Sequence, residues 1–375
     1  MTQETNTLIV GSSIAGLACA ACLGNAGIDH IIIEKHSSVV TPWRNHYDRL
    51  HLHTNKKLSH LPYRKFKSSI PVYPSRLQVV EYMDSYQKEF DIHPIFNTEA
   101  KTIYKEGDYW ITETDNRKFK SKKVIMATGA YGLPKNIEFP GMESFPGKIL
   151  HSSRFKNGQE FKDQKVLVVG FGNSACEIAI NLYEQGALPS LSVRSAVNVL
   201  PRDILGIPVL QLGLLMSALP PKMADKLNAP LIRLLTGDIT KLGLRKLPYG
   251  PLEQMQKDQS VPLLDIGTLK LIREKHCVVY DDIDRIENKT VFFKSGRKDE
   301  FDAIVAAIGY HKGYEQDLLQ VDKNRFEDLN VSVDKQKYFG KDGLYFCGFY
   351  VSPTGQIREI SKDAQKIVKS IAKNI

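Results

Sequence analysis

Residues 5–20, TNTLIVGSSIAGLACA, run from β-branched apolar residues through glycines into an alanine-rich segment that favours helix. Strand, tight turn and helix in that order open a dinucleotide-binding βαβ unit. The usual spacing is G-x-G-x-x-G, whereas here Gly11 and Gly16 keep the outer positions and Ser13 takes the middle one. A β-carbon there narrows the approach to a pyrophosphate. Serine is a mild replacement, and its hydroxyl can itself donate to a phosphate oxygen. A lone G-x-x-x-x-G is a weak signal, so the decision falls to the rest of the chain.

A second opening of the same kind is KVLVVGFGNSACEIAINLYEQG at 165–186, with Gly170 and Gly172. Each opening is followed by another apolar strand, HIIIEK in one case and LSVR in the other. The residue that closes a dinucleotide site lies about 20 positions past the glycines, at the end of that second strand. From Gly11 an offset of 23 residues reaches Glu34, and from Gly170 an offset of 24 reaches Arg194. A carboxylate accepts from ribose hydroxyls and repels a 2′-phosphate, which an arginine grips. The first site suits FAD (or NAD) and the second NADPH, with Ser195 and Arg202 as further phosphate contacts.

Further strands are read in DYWITE, KVIMATGAYGLPK (123–135), DAIVAAIGY (302–310) and GLYFCGF (343–349). The last segment has helix periodicity, with Ile357, Ile360, Ala364, Ile367, Val368 and Ile371 on one face. The expected fold is α/β with two Rossmann-type dinucleotide-binding domains, the NADPH domain inserted in the FAD domain. Boundaries are set at 1–160 and 301–375 for the FAD domain and 161–300 for the NADPH domain.

Composition agrees with a soluble globular chain of two joined domains: 375 residues, 42% hydrophobic and 25% charged. The net charge of +9 fits a lysine-rich solvated surface, and no basic block is interleaved with aromatics as a nucleic-acid binder requires. Cys19, Cys22, Cys176, Cys277 and Cys347 are odd in number and scattered, as in a reducing compartment. The chain enters its first strand directly, and the longest apolar run, Ile204 to Leu219, falls short of the roughly 20 residues a membrane span needs. A cytoplasmic monomer or homodimer is expected, with weak contact to a membrane surface left open.

FPGKILHSSRF at 145–155 carries the pattern F-x-G-x-x-x-H-x-x-x-F through Phe145, Gly147, His151 and Phe155, just before GFGNSA at 170–175. On these residues the chain resembles the flavin-containing monooxygenases, and within them the YUCCA-like branch. The resemblance runs nearly end to end, through WRNHYDRLHLHTN (43–55), VYPSRLQVVEYMDSY (72–86), VLPRDILG (199–206), GPLEQ (250–254) and VPLLDIGTL (261–269). Ser13, and Ile308 where the family has threonine, depart from it. So does HTN at 53–55, which is closer to general flavin monooxygenases than to the L-P-K of the plant auxin-forming enzymes.

The resemblance implies that NADPH reduces FAD, that reduced flavin takes up oxygen as a C4a-(hydro)peroxyflavin, and that one oxygen atom enters a soft nucleophile, a ketone or a keto acid. Asn55 matches the family's active-site asparagine; its other reading is a turn cap. The implied cofactor-binding residues are Gly11, Ser12, Ser13, Ala15, Gly16, Glu34, Lys35, Trp43, Arg44, His53, Tyr73, Ser75, Thr128, Gly129, Gly348 and Gln356. Gly170, Gly172, Asn173, Ser174, Arg194, Ser195 and Arg202 complete the set.

Cys19-Ala-Ala-Cys22 spells C-x-x-C but sits in an alanine-rich helix, where cysteine packs as a small hydrophobe. His51, His53 and His60 lack the spacing of metal ligands, and no metal is expected. His151 is read as positioning the join between domains rather than moving protons. The run from Ile204 to Leu219 is read as covering the substrate entrance or packing on the NADPH domain, with an apolar access patch as the alternative. A second class of function stays open, a flavin-dependent NADPH oxidoreductase or oxidase without productive oxygenation, favoured by Ser13, Ile308 and the C-x-x-C.

Overall fold

The opening strand, Thr2–Val10, goes from exposed to fully buried along its length, so its second half lies at the centre of a sheet. The computed structural model describes residues 2–129, 132–204, 207–209, 219–258, 260–311, 318–320, 339–349 and 355–373. They divide into two units, 1–45 with 54–133 and 311–375, and 46–53 with 134–310.

In the first unit Thr2–Val10 lies between His30–Ile33 and Lys118–Met126, parallel to both, and Val10 is in register with Ile33 and Met126. The far edge of Lys118–Met126 is shared. Its first half pairs with the antiparallel hairpin Thr102–Glu106 and Tyr109–Glu113, and its second half with Leu344–Phe346, parallel, Phe346 beside Met126. One face of this sheet is filled by Leu8, Val10, Ile103, Trp110, Phe119 and Val124. Helix Ile14–Asn25 is buried along most of its length, and helix Gln356–Ala372 packs on it. All six apolar positions expected on one face of that last helix are buried.

The second unit holds an all-parallel five-stranded sheet in the order Val278–Tyr280, Leu188–Ser192, Lys165–Val169, Ala303–Ala306, Lys148–His151. Helix Asn173–Glu184 follows its glycine turn. An antiparallel meander, Ile283–Glu287, Thr290–Phe293 and Lys298–Glu300, adds a core in which Tyr280 stacks on Phe293. This is the α/β architecture of two Rossmann-type units. Of the apolar run 204–219, read as covering the substrate entrance or packing on the NADPH domain, residues 205–206 and 210–218 lie outside the described residues.

The F-x-G-x-x-x-H-x-x-x-F pattern serves this sheet. A β-carbon on Gly147 would sit 2.1 Å from the Asp302 carbonyl oxygen, so only glycine lets the strand 148–151 close on 303–306. Phe145 joins the meander core, and Phe155 is fully buried against Phe161. His151 accepts from Ser153 N–H at Nδ1, which leaves Nε2–H to donate to the Gly309 carbonyl at 3.0 Å. Burial holds its pKa below the usual histidine value, against the pull of that carbonyl. His151 is thus a neutral tie within the second unit. Ile308, where threonine was expected, packs on the same apolar cluster as Phe145.

Candidate functional site

Parallel strands in register end together, so the residues after Val10, Ile33, Met126 and Phe346 share one edge of the first sheet. They are Gly11 to Ser13, Glu34 and Lys35, Thr128 and Gly129, and Gly348. Carboxyl ends of parallel strands are where open α/β sheets bind ligands. A β-carbon on Gly16 would lie 1.9 Å from the Gly11 carbonyl oxygen, which explains both outer glycines: helix and strand touch there backbone to backbone. Ser13 is the N-cap of helix Ile14–Asn25, yet its hydroxyl makes no cap hydrogen bond and no acid occupies the first turn. The N–H groups of that turn, with Ala15 and Gly16 behind, remain free for an anion.

Glu34 is buried and already engaged. Its Oε2 accepts from Ser12 N (2.8 Å) and Ser12 Oγ (3.0 Å), and its Oε1 from His36 N (3.0 Å). The carboxylate therefore locks the glycine turn, and Lys35 beside it faces Glu99 at 4.0 Å. Gln356, at the start of the last helix, donates to the Gly348 carbonyl at 3.0 Å.

Asn55 is buried and caps a 3₁₀ turn: its Oδ1 accepts from Lys57 N at 2.8 Å and Leu58 N at 3.2 Å. The structure shows the turn-cap reading, and that cap engages Oδ1, while Nδ2 is a pure donor that the cap does not use. Thr54 Cγ2 would be 2.9 Å from a β-carbon on Gly355, so the Asn55 loop lies against the start of the last helix, next to Gln356. Lys56 N donates to Val72 O at 2.8 Å, which brings Tyr73 and Ser75 to the same loop. Ser75 forms a capping box with Gln78 at the head of helix Arg76–Glu89. Arg44 is held by Asp84 and by the Val39 carbonyl, and Trp43, half-buried, hangs on the turn in which Val40 N meets Ser12 O at 3.4 Å.

In the second unit Gly170 to Ser174, Val193 to Ser195 and Ala307 to Gly309 share the corresponding edge. Gly172 is the N-cap, a β-carbon there would meet nothing within 4 Å, and the helix again begins without an acid or a side-chain cap. Asn173 Oδ1 accepts from Leu264 N at 2.9 Å, while Ser174 hydrogen-bonds Tyr47, whose burial raises its pKa. Arg194 and Ser195 are exposed; Arg202 is paired with Asp203 at 3.0 Å instead of standing free.

Two residues escaped the sequence reading. Arg245 donates a guanidinium hydrogen bond to the Arg194 carbonyl, and Val197 N returns one to the Arg245 carbonyl at 2.7 Å. Two guanidinium groups thus stand at one strand end, neither ion-paired to a described carboxylate. The signal is a single bridge, Val197 to Lys246, which no spacing rule reveals. The second is Glu177, 1% exposed, with His53 Nε2 2.9 Å from its Oε1. That approach lacks hydrogen-bond geometry, so neither Glu177 oxygen has a hydrogen-bond donor among the described residues. His53, expected at a cofactor, faces this acid within the second unit.

The C-x-x-C is not a redox pair. Cys19 and Cys22 are free and buried. A hydrogen bond with Cys347, and then burial, push the Cys19 thiol well up; burial takes Cys22 to about 11.

Two glycine edges with uncapped helix N-termini, one beside a buried carboxylate and one beside two arginines, suit two dinucleotides. The profile of the pyridine nucleotide-disulphide oxidoreductase family matches residues 8–199. The probable indole-3-pyruvate monooxygenase YUCCA1 of Arabidopsis thaliana is 36% identical over 348 residues, covering 91% of this chain and 84% of its own. Among solved structures, a flavin-containing monooxygenase from Stenotrophomonas maltophilia superposes with a TM-score of 0.70 at 18% identity, covering 99% of each chain. A cyclohexanone monooxygenase reaches 0.78 at 16% identity, covering 100% of this chain and 88% of its own. The chain belongs to the YUCCA-type flavin monooxygenase family. It is a flavin-dependent monooxygenase that uses FAD and NADPH, and the reading as an oxidase without oxygenation is not favoured. Among the described residues no helix is long and apolar enough to cross a membrane.

Proposed function

We propose that the first glycine edge holds FAD, the second holds NADPH, and the oxygen atom goes into a 2-oxo acid or a related ketone. The observation that carries the division of cofactors is the contrast at matched strand ends, Glu34 in one unit and Arg194 with Arg245 in the other. The residues fit these groups. Both helix N-termini lack a side-chain cap and a first-turn acid, and the space over Gly172 is open to a phosphate. The substrate class rests on the relative's printed activity toward indole-3-pyruvate.

Bound FAD, reduced by NADPH, supplies oxygen activation, which no side chain of this chain can perform. The residues orient and desolvate. Gly11 to Gly16 take the FAD pyrophosphate, and Ser12, clamped by Glu34, keeps the turn in shape. Asn55, its oxygen tied down by two backbone N–H groups, would offer Nδ2 as a hydrogen-bond donor to the flavin side of the reaction. Gly170 to Ser174 receive the NADPH pyrophosphate, and the paired arginines receive its 2′-phosphate as charge-assisted donors. Five buried thiols without a disulfide fit the cytoplasm.

The test is turnover with a 2-oxo acid under ¹⁸O₂. One labelled oxygen in the organic product per NADPH consumed supports the reading. NADPH oxidation that releases only hydrogen peroxide and leaves the acid unchanged overturns it.

A further inference from the structure

Helix Pro221–Thr236 presents an apolar face that the described residues leave in solvent. Met223, Leu227, Leu231, Leu234 and Leu235 recur at the spacing of one helix face, and Leu234 is 80% and Leu227 58% exposed. Beside this stripe run Lys222, Lys226 and Arg233, all exposed. The helix has one acid, Asp225, and it is buried: its two oxygens accept from Leu252 N (3.0 Å) and Glu253 N (2.9 Å), capping the next helix. Gly250 admits that carboxylate, since a β-carbon there would lie 2.3 Å from Asp225 Cγ. Asp225 therefore anchors the helix from its inner side and leaves only apolar and cationic groups outside.

We propose that this helix lies along the surface of an anionic lipid bilayer, the leucine stripe in the acyl boundary and the cations among the headgroups. Charge selects this occupant. A stripe flanked by three cations, with no exposed acid on the helix itself and Asp238 beside Arg233 just past its end, keeps a positive balance on a chain of net charge +9 and complements negative headgroups, whereas a second copy would bring the same cations against themselves. At 16 residues the helix is about 24 Å long, enough to lie in the interface and too short and charged to span it. The inference does not depend on the cofactor assignments, since none of these residues belongs to either glycine edge.

The experiment is co-sedimentation of the purified full chain with vesicles of phosphatidylcholine alone or with about 30% phosphatidylserine, at ionic strength near 0.1 M. Partition is expected to be at least about tenfold stronger into the anionic vesicles. The Leu227→Ser/Leu234→Ser variant is expected to lose it while keeping NADPH oxidation and thermal stability. The Lys222→Gln/Lys226→Gln/Arg233→Gln variant should lose the preference for phosphatidylserine. No partition by the parent, or partition unchanged in the leucine variant, overturns the proposal. So does a dimer by analytical ultracentrifugation that the leucine variant converts to monomer, because a second copy then covers the stripe.

Discussion

Ser13 in the first glycine turn and Gly172 in the second hold one backbone conformation, φ −81° and ψ −162° against φ −88° and ψ 179°, each as the N-cap of a 12-residue helix. That conformation is open to any residue. What glycine contributes there is room for a ligand, not relief of backbone strain. Ser13→Gly is therefore expected to change unfolding free energy by only a few tenths of a kcal/mol, as for other cap exchanges to glycine. FAD affinity, read by flavin fluorescence on the apoprotein, should stay within about threefold because phosphate binding rests on the shared N–H groups. Gly16→Ala, by contrast, drives a β-carbon into the Gly11 carbonyl and should cost at least about 3 kcal/mol, with no flavin retained.

Glu34 carries three hydrogen bonds in a buried setting, two of them from Ser12. Glu34→Gln removes the charge and one acceptor, and a loss of about 2 kcal/mol is expected for hydrogen bonds to a charged group. Urea unfolding of the apoprotein measures it, and faster flavin release from the loaded protein should accompany it.

Arg245 is expected to act with Arg194. Each change to alanine should weaken binding of 2′,5′-ADP about tenfold or more, the loss of one charge-assisted contact, and leave 5′-ADP binding unchanged. Calorimetric titration reads this without turnover. Loss of 5′-ADP binding in Arg245→Ala would mean that the residue only pins the loop.

His151 is neutral in the folded chain because burial depresses its pKa below the ordinary 6.5. The unfolded state then binds more protons between the depressed value and 6.5, so stability rises with pH across that window and is lost on acidification. Urea midpoints should fall from pH 7.5 to pH 5.5, and His151→Gln should flatten part of that slope.

All five thiols are buried and free, and the C-x-x-C pair has raised pKa values. An aromatic disulfide reagent should find no fast-reacting thiol in the folded protein and five after denaturation. Rapid reaction of Cys19 and Cys22 in the folded state would restore a redox reading.

Local signals carried most of the fold. The glycine turns, the reversal from Glu34 to Arg194 and the face of the last helix are visible because strand and helix periods place them within one βαβ unit or one helix. What stayed hidden depends on distant pairing. Arg245 reaches Arg194 through one bridge at Lys246, and residues 46–53 join the second unit although they lie within the N-terminal stretch. The pattern around Phe145 and Gly147 identified the family without showing its role, which is to close a sheet. Glu177 gave only a faint sign, a charged letter inside an apolar helix period.

Strand Leu344–Phe346 completes the first sheet from the far end of the chain, after the whole of the second unit has been made. On the ribosome the order of completion is thus inverted. Once Tyr310 has emerged, every residue of the second unit is present, while the strand Lys118–Met126 still has an open half-edge. Helix Ile14–Asn25, already against its sheet and helix Arg76–Glu89, likewise lacks its most extensive packing partner until helix Gln356–Ala372 arrives. Chains stalled before residue 344 leave the half-edge open and that helix partly uncovered, and such nascent chains are where chaperone capture and aggregation should concentrate.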